Sequence, residues 1–146
     1  MLLRTFAAGA VAALISACSS SGGLPAERPQ ADARVAVAGL VQDYGNPPRE
    51  SFFERFDRQR FPNWEEYRDN VRQFLIRSRE VVLDVIVDGV DEAPTAPMLG
   101  VRAHWNKSYV DPKGSHKLVN GKCELVFRRQ PSGGLLLTNV QGASPF

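Results

Sequence analysis

Few side chains in this sequence stand at spacings that chemistry uses. His104 and His116 are its two histidines, and neither falls in a His-x-His or Glu-x-x-His arrangement, so no metal site is expected. Asp84 and His104 could form a proton-transferring dyad, but strand alternation assigns both to a wet face with no pocket. Tyr44, Tyr67, Tyr109 and His116 are the other groups able to exchange a proton near a cavity mouth. There is no Gly-rich phosphate loop, Gly-x-Ser-x-Gly elbow or Cys-x-x-Cys pair, and no cofactor is expected. Eight arginines fall between Arg49 and Arg79, but Glu50, Glu54, Asp57, Glu65, Glu66 and Asp69 are interleaved with them. Alternating charge of this kind is a solvated helix surface, so no nucleic-acid partner is expected.

Any such groups would be positioned by the second half of the chain, which reads as four antiparallel strands over 80–88, 98–110, 115–129 and 135–142. Asp111-Pro112-Lys113-Gly114 and Gln130-Pro131-Ser132-Gly133 are hairpin turns, with Pro presetting the first central position and Gly taking the left-handed one. With Asp111 and Ser115 flanking the first turn, Ala103 faces Cys123, Val101 faces Leu125 and Leu99 faces Phe127 on a dry side. Arg102 then faces Glu124, and His104 faces Lys122, on a wet side. Val81, Leu83, Val85 and Val87 join the dry side, where Cys123 is a small buried hydrophobe. Arg128 falls on the wet side and is expected to be expendable. Asn120-Gly121 implies a bulge or sharp twist inside the third strand.

Three helical segments precede the sheet. Asp32 can cap the first, in which Val37, Leu40, Val41 and Tyr44 recur at helical spacing until Gly45. The second runs from Asn46-Pro47-Pro48 to about Arg60 and carries Phe52, Phe53 and Phe56. Asn63 with Glu66 is a capping-box-like start to the third, whose stripe is Trp64, Tyr67, Val71, Phe74 and Leu75. The aromatic residues make these helices the lid on the dry face. The fold class expected is therefore α+β, with three N-terminal helices packed on a curved antiparallel four-stranded sheet.

Residues 1–17 read as a signal peptide, with Arg4 ahead of a ten-residue apolar run too short to span a bilayer. Ile15-Ser16-Ala17-Cys18 resembles the lipobox of bacterial lipoproteins, which implies cleavage before Cys18 and acylation of its sulfur. The alternative is ordinary secretory cleavage after Ala17. With Cys18 carrying lipid, residues 18–33 form a Gly/Ser/Pro-rich tether, and Cys123 has no disulfide partner. Ser19 resembles the pattern that permits outer-membrane sorting, which implies a bacterial envelope location, on the inner leaflet of the outer membrane and facing the periplasm.

The remaining residues, 34–146, resemble the nuclear transport factor 2-like superfamily, which includes polyketide-cyclase-like and ketosteroid-isomerase-like domains. The resemblance rests on helix 64–77 feeding strand 80–88, then on Leu125-Val126-Phe127-Arg128-Arg129, a Gly-containing turn and Leu135-Leu136-Leu137-Thr138-Asn139-Val140. It implies a cone whose hollow can hold a ligand, lined here by Trp64, Tyr67, Leu83, Val85, Val101, Leu125 and Phe127. The chain departs from the family in two ways. The early hairpin between the helices is absent or very short, and Leu135 stands where Trp is common. No family catalytic residue matches position by position, so a non-catalytic domain binding a small apolar ligand or an envelope protein is expected. The alternative is a small isomerase- or hydrolase-like enzyme using polar groups at the cone mouth. The outer sheet face mixes Val82, Ile86, Val126 and Leu136 with charge, which suits weak association with a second copy or an envelope partner.

Overall fold

The computed structural model describes residues 27–47, 49–93 and 97–146. The expected signal peptide, Cys18 and tether residues 19–26 lie outside the described residues. Three helices, α1 (Glu27–Gly45), α2 (Glu50–Glu54) and α3 (Trp64–Arg77), precede four strands. These are β1 (Arg79–Glu92), β2 (Met98–Val110), β3 (His116–Arg129) and β4 (Leu135–Gly142), hydrogen-bonded as an antiparallel meander in chain order. No helix among the described residues is long and apolar enough to cross a membrane.

Alternation fixes the sheet as expected. Leu99, Val101 and Ala103 stand opposite Phe127, Leu125 and Cys123, and all six are buried. Arg102 and His104 stand opposite Glu124 and Lys122 on the outer face. Both hairpins take the expected form, with the Asp111 amide bonded to the Ser115 carbonyl at 2.9 Å and that of Gln130 to Gly134 at 2.7 Å. Gly114 and Gly133 hold the left-handed positions at φ 83° and 92°.

Asn120-Gly121 makes no bulge. Residues 116–128 pair with β2 without a register shift, Asn120 opposite Asn106 and Gly121 opposite Trp105. A Cβ at Gly121 would lie 2.7 Å from the Trp105 ring, so this glycine is there to let the indole cross the strand. The irregularities fall instead in β1, between Arg79 and Val82 and between Val87 and Gly89, and between β3 and β4 at Val126/Phe127.

The helices depart from expectation at their ends. Helix α1 begins at Glu27, so the tether expected to reach Ala33 is helical over 27–33. Tertiary contact draws it into the fold. Ala33 is fully buried in line with Val37, Leu40 and Tyr44, and Asp32 pairs with Arg129 at 2.7 Å instead of capping the helix. Helix α2 stops at Glu54, not near Arg60. There the chain turns out to the β4 edge: the Leu137 amide bonds to the Arg55 carbonyl and the Asp57 amide to the Leu137 carbonyl, both at 2.9 Å. The early hairpin is thus reduced to one bridge, Phe56 beside Leu137. Asn63 sits at the α3 start with φ 49° and makes no side-chain cap, so the capping box does not form.

Arg128 is also more than a surface charge. It holds the buried Asp57 carboxylate through two bonds, of 2.9 Å from Nε and 2.7 Å from a terminal nitrogen. The wet face therefore contains a buried ion pair, set where the residue 55–57 turn meets β4.

Candidate functional site

Between the helices and the sheet, where the resemblance implies a hollow, aromatic side chains of every layer pack together. Tyr44 comes from the last turn of α1, Phe52 from α2 and Phe56 from the bridge. Trp64 and Tyr67 come from the first turn of α3, and Trp105 from β2. Tyr44 meets Phe52 edge-on at 5.3 Å, Phe52 meets Phe56 at 5.0 Å, and Tyr67 meets Phe61 at 4.6 Å. Edge-to-face and tilted contacts at these distances are the preferred aromatic geometry.

Residues 143–146 close this hollow from the sheet side. Gly142, at φ 86°, takes a conformation open to glycine and lets the chain leave β4 inward. The Ala143 carbonyl accepts from Trp105 Nε1 at 2.8 Å, and the Pro145 carbonyl accepts from Lys107 Nζ at 3.0 Å. Ser144 Oγ meets the Tyr67 hydroxyl at 3.2 Å. The Phe146 ring lies 5.5 Å from Tyr44 and 5.1 Å from Phe52. Pro145 is fully buried.

Lys107 is the unusual group. Its side chain is 7% exposed, with the amine 4.5 Å from the Phe74 ring centroid and 5.6 Å from that of Trp105. No carboxylate pairs with it among the described residues, and burial pushes its pKa down. Tyr44 is the second: its hydroxyl is buried and has no hydrogen-bond partner among the described residues. Burial raises the pKa of Tyr44, with Tyr67 adding to the effect and Arg49 opposing it. Burial likewise raises that of Tyr67 against its bond to Ser144, and pushes the Cys123 thiol up to about 11. Each of these shifts favours the uncharged form. Such a site offers an apolar lining with a few hydrogen-bonding groups, among which the Lys107 amine, shifted toward its neutral form, is the one able to accept a proton.

The seven side chains expected to line a pocket form two groups. Trp64 and Tyr67 meet in the aromatic hollow through Phe56 and Phe61. Leu83, Val101, Leu125 and Phe127 are packed core on the sheet. Val85 is half-buried and borders an open groove of about 570 Å³ between α1 and β1. Of the mouth candidates, Tyr109 packs on Phe74 at 5.0 Å and His116 is exposed at the end of β3. The Asp84–His104 dyad is not formed. His104 Nδ1 lies 2.7 Å from Asp88, across a bulge in β1, and Asp84 stands opposite Asn106. No cluster of three potential metal ligands occurs among the described residues.

Sequence reasoning missed Trp105 and Lys107. The signal was present: the dry positions Leu99, Val101 and Ala103 continue by twos to 105 and 107. It also missed residues 143–146, for which periodicity gives no cue.

No family model and no curated protein matches the chain. Solved structures do. A conserved protein from Planctomyces limnophilus superposes with a TM-score of 0.66 at 15% identity, over 80% of this chain and 99% of that one. A nuclear transport factor 2-like superfamily protein from Salmonella enterica gives 0.62 at 10% identity, over 83% and 94%. A ketosteroid isomerase-like protein from Erwinia carotovora gives 0.61 at 10%, over 79% and 96%. At such identities the likeness shows the fold alone: an α+β cone of the nuclear transport factor 2-like type, with three helices on a four-stranded antiparallel sheet.

Proposed function

We propose that this chain is a non-catalytic binding domain, held at a bacterial envelope membrane by lipid on Cys18. Its hollow takes a small apolar molecule in place of its own residues 145 and 146. The carrying observation is the buried Lys107 amine bonded to the Pro145 carbonyl, with the unpartnered Tyr44 hydroxyl in the same aromatic hollow. An apolar lining with a few convergent polar groups is the make-up of a small-molecule site. A ligand bearing an aromatic ring and a carbonyl would replace the Phe146 ring and the Pro145 oxygen group for group. The occupied hollow lowers apparent affinity by the fraction of molecules in which it is open.

Phe146→Ala should therefore tighten binding of a naphthyl ketone probe about tenfold, read by quenching of Trp105 fluorescence. Equal or weaker binding by the variant overturns the reading. The enzymatic alternative would use the Lys107 amine as its base; that amine is bonded to the Pro145 carbonyl at 3.0 Å, and the neutral acids favoured at Tyr44, Tyr67 and Cys123 supply no second base, which weighs against it. A bell-shaped pH profile for turnover of a carbonyl substrate would restore it.

The anchor reading rests on Ile15-Ser16-Ala17-Cys18. The partner reading rests on the outer sheet face, where Val82 is 63% and Ile86 45% exposed beside Asp84 and Asp88. Apolar patches interrupted by charge suit transient contact with an envelope protein.

A further inference from the structure

Lys107 stands at an inward position of β2, paired with Leu83 on β1 and Val119 on β3. Its backbone is therefore held by strands on both sides, and its amine lies among rings. The centroid of Phe74 is 4.5 Å away, that of Trp105 5.6 Å and that of Tyr44 5.9 Å. The chain has three other lysines, Lys113, Lys117 and Lys122, and all of them are exposed. At Lys107 neither water nor a carboxylate among the described residues supports an ammonium, and burial favours the neutral amine with its free lone pair.

Holding the Pro145 carbonyl does not call for an amine. A hydroxyl or side-chain amide could donate that bond without the cost of burying an ionisable group. What sets a desolvated lysine apart from those groups is its nucleophilicity toward carbonyl carbon. The carbonyl it now meets, 3.0 Å away, belongs to a peptide bond, whose resonance makes it an acceptor and a poor electrophile. An aldehyde has no such resonance. With its oxygen in the place of the Pro145 oxygen, its carbon lies one bond of about 1.2 Å from that point, close to the ~3–3.5 Å separation from which bonds form.

We propose that Lys107 binds ligand covalently, its amine forming an imine with an apolar aldehyde that enters the aromatic cluster in place of residues 145 and 146. This rests on the displacement reading given above and names the bond that holds the ligand. The Nζ lone pair makes the new C–N bond while the carbonyl π pair moves to oxygen. The resulting carbinolamine loses that oxygen together with both amine protons as one water, and the nitrogen lone pair closes the C=N bond. Nothing is oxidised or reduced, and water reverses the step, so binding is covalent without turnover. The Tyr44 hydroxyl, buried in the same cluster and without a hydrogen-bond partner among the described residues, is a donor for the oxygen as charge gathers on it. An aromatic aldehyde fits best, since its ring replaces that of Phe146 against Tyr44 and Phe52.

The test uses the full-length protein with naphthaldehyde and sodium cyanoborohydride, which reduces an imine to a stable secondary amine. In Phe146→Ala, peptide mapping should find the naphthylmethyl group forming on Lys107 at least about tenfold faster than on Lys113, Lys117 or Lys122. Wild type should show the same preference at a lower rate, which keeps the result independent of how well the variant folds. In urea the four lysines should react alike. Excess naphthyl ketone should slow labelling of Lys107 and leave the exposed lysines unchanged. Labelling of Lys107 no faster than of the exposed lysines, in wild type and variant, overturns the imine. If Phe146→Ala still tightens the ketone in that case, the displacement reading survives without the covalent step. Preferred labelling of Lys107 with no tightening of the ketone supports the imine and removes the displacement reading instead.

Discussion

Arg128 and Lys107 show how far one side chain's role depends on what lies across from it. Arg128 sits on the solvated face, yet Asp57 beneath it is only 6% exposed. Removing the guanidinium leaves that carboxylate buried with Arg60 as its nearest remaining cation, 3.7 Å away. Arg128→Ala should cost about 1–3 kcal/mol by chemical denaturation. Burial makes Lys107 give up its proton more readily than an exposed lysine would. Its folded pKa lies below the ordinary 10.5, so between the two values the unfolded chain binds more protons than the folded one. Its contribution therefore rises with pH through that window and is missing below it. Lys107→Met should abolish this alkaline gain, so the stability difference between wild type and variant moves in favour of wild type as pH rises. Cys123 works against it: with the thiol raised from 9.0 to about 11, the unfolded chain loses its proton first and stability falls above pH 9.

At the scale of elements, strand alternation made the sheet legible. Leu99, Val101 and Ala103 against Phe127, Leu125 and Cys123 follow from turn chemistry and a period of two. Phe127→Ala should accordingly cost about 3–5 kcal/mol in thermal or denaturant unfolding, because the residue is 1% exposed within the core. Local signals failed where a long-range contact overrode them. Asn120-Gly121 reads as a bulge or sharp twist in the third strand, but the pairing runs through it unbroken because the indole of Trp105 on the neighbouring strand needs the space at Gly121. Gly121→Ala should lower the melting temperature, since Cβ would meet that ring and Ala143 at 2.7–2.8 Å. The early start of α1 and the early end of α2 answer to Arg129 and Leu137, each far along the chain. The hollow was legible only in its aromatic half. Trp64 and Tyr67 show helical period, whereas Lys107 matters because Pro145 happens to lie over it.

Across the whole molecule, the lipid reading places the cone on a short leash, and Cys18→Ser should abolish acyl labelling and leave uncut or mis-sorted protein. A variant that matures and fractionates like wild type would remove the anchor. The bridge between Phe56 and Leu137 carries a consequence for the order in which the chain acquires its shape. The meander of β1 to β4 joins neighbours in sequence and closes only short loops, whereas that bridge and the Phe146 contacts with Tyr44 and Phe52 join residues roughly eighty to a hundred positions apart. Loop entropy favours forming these contacts after the rate-limiting barrier. Phe146→Ala should thus accelerate unfolding while leaving the refolding rate within about twofold, as stopped-flow chevrons would show. The hollow would then be the last part of the molecule to close and the first to open.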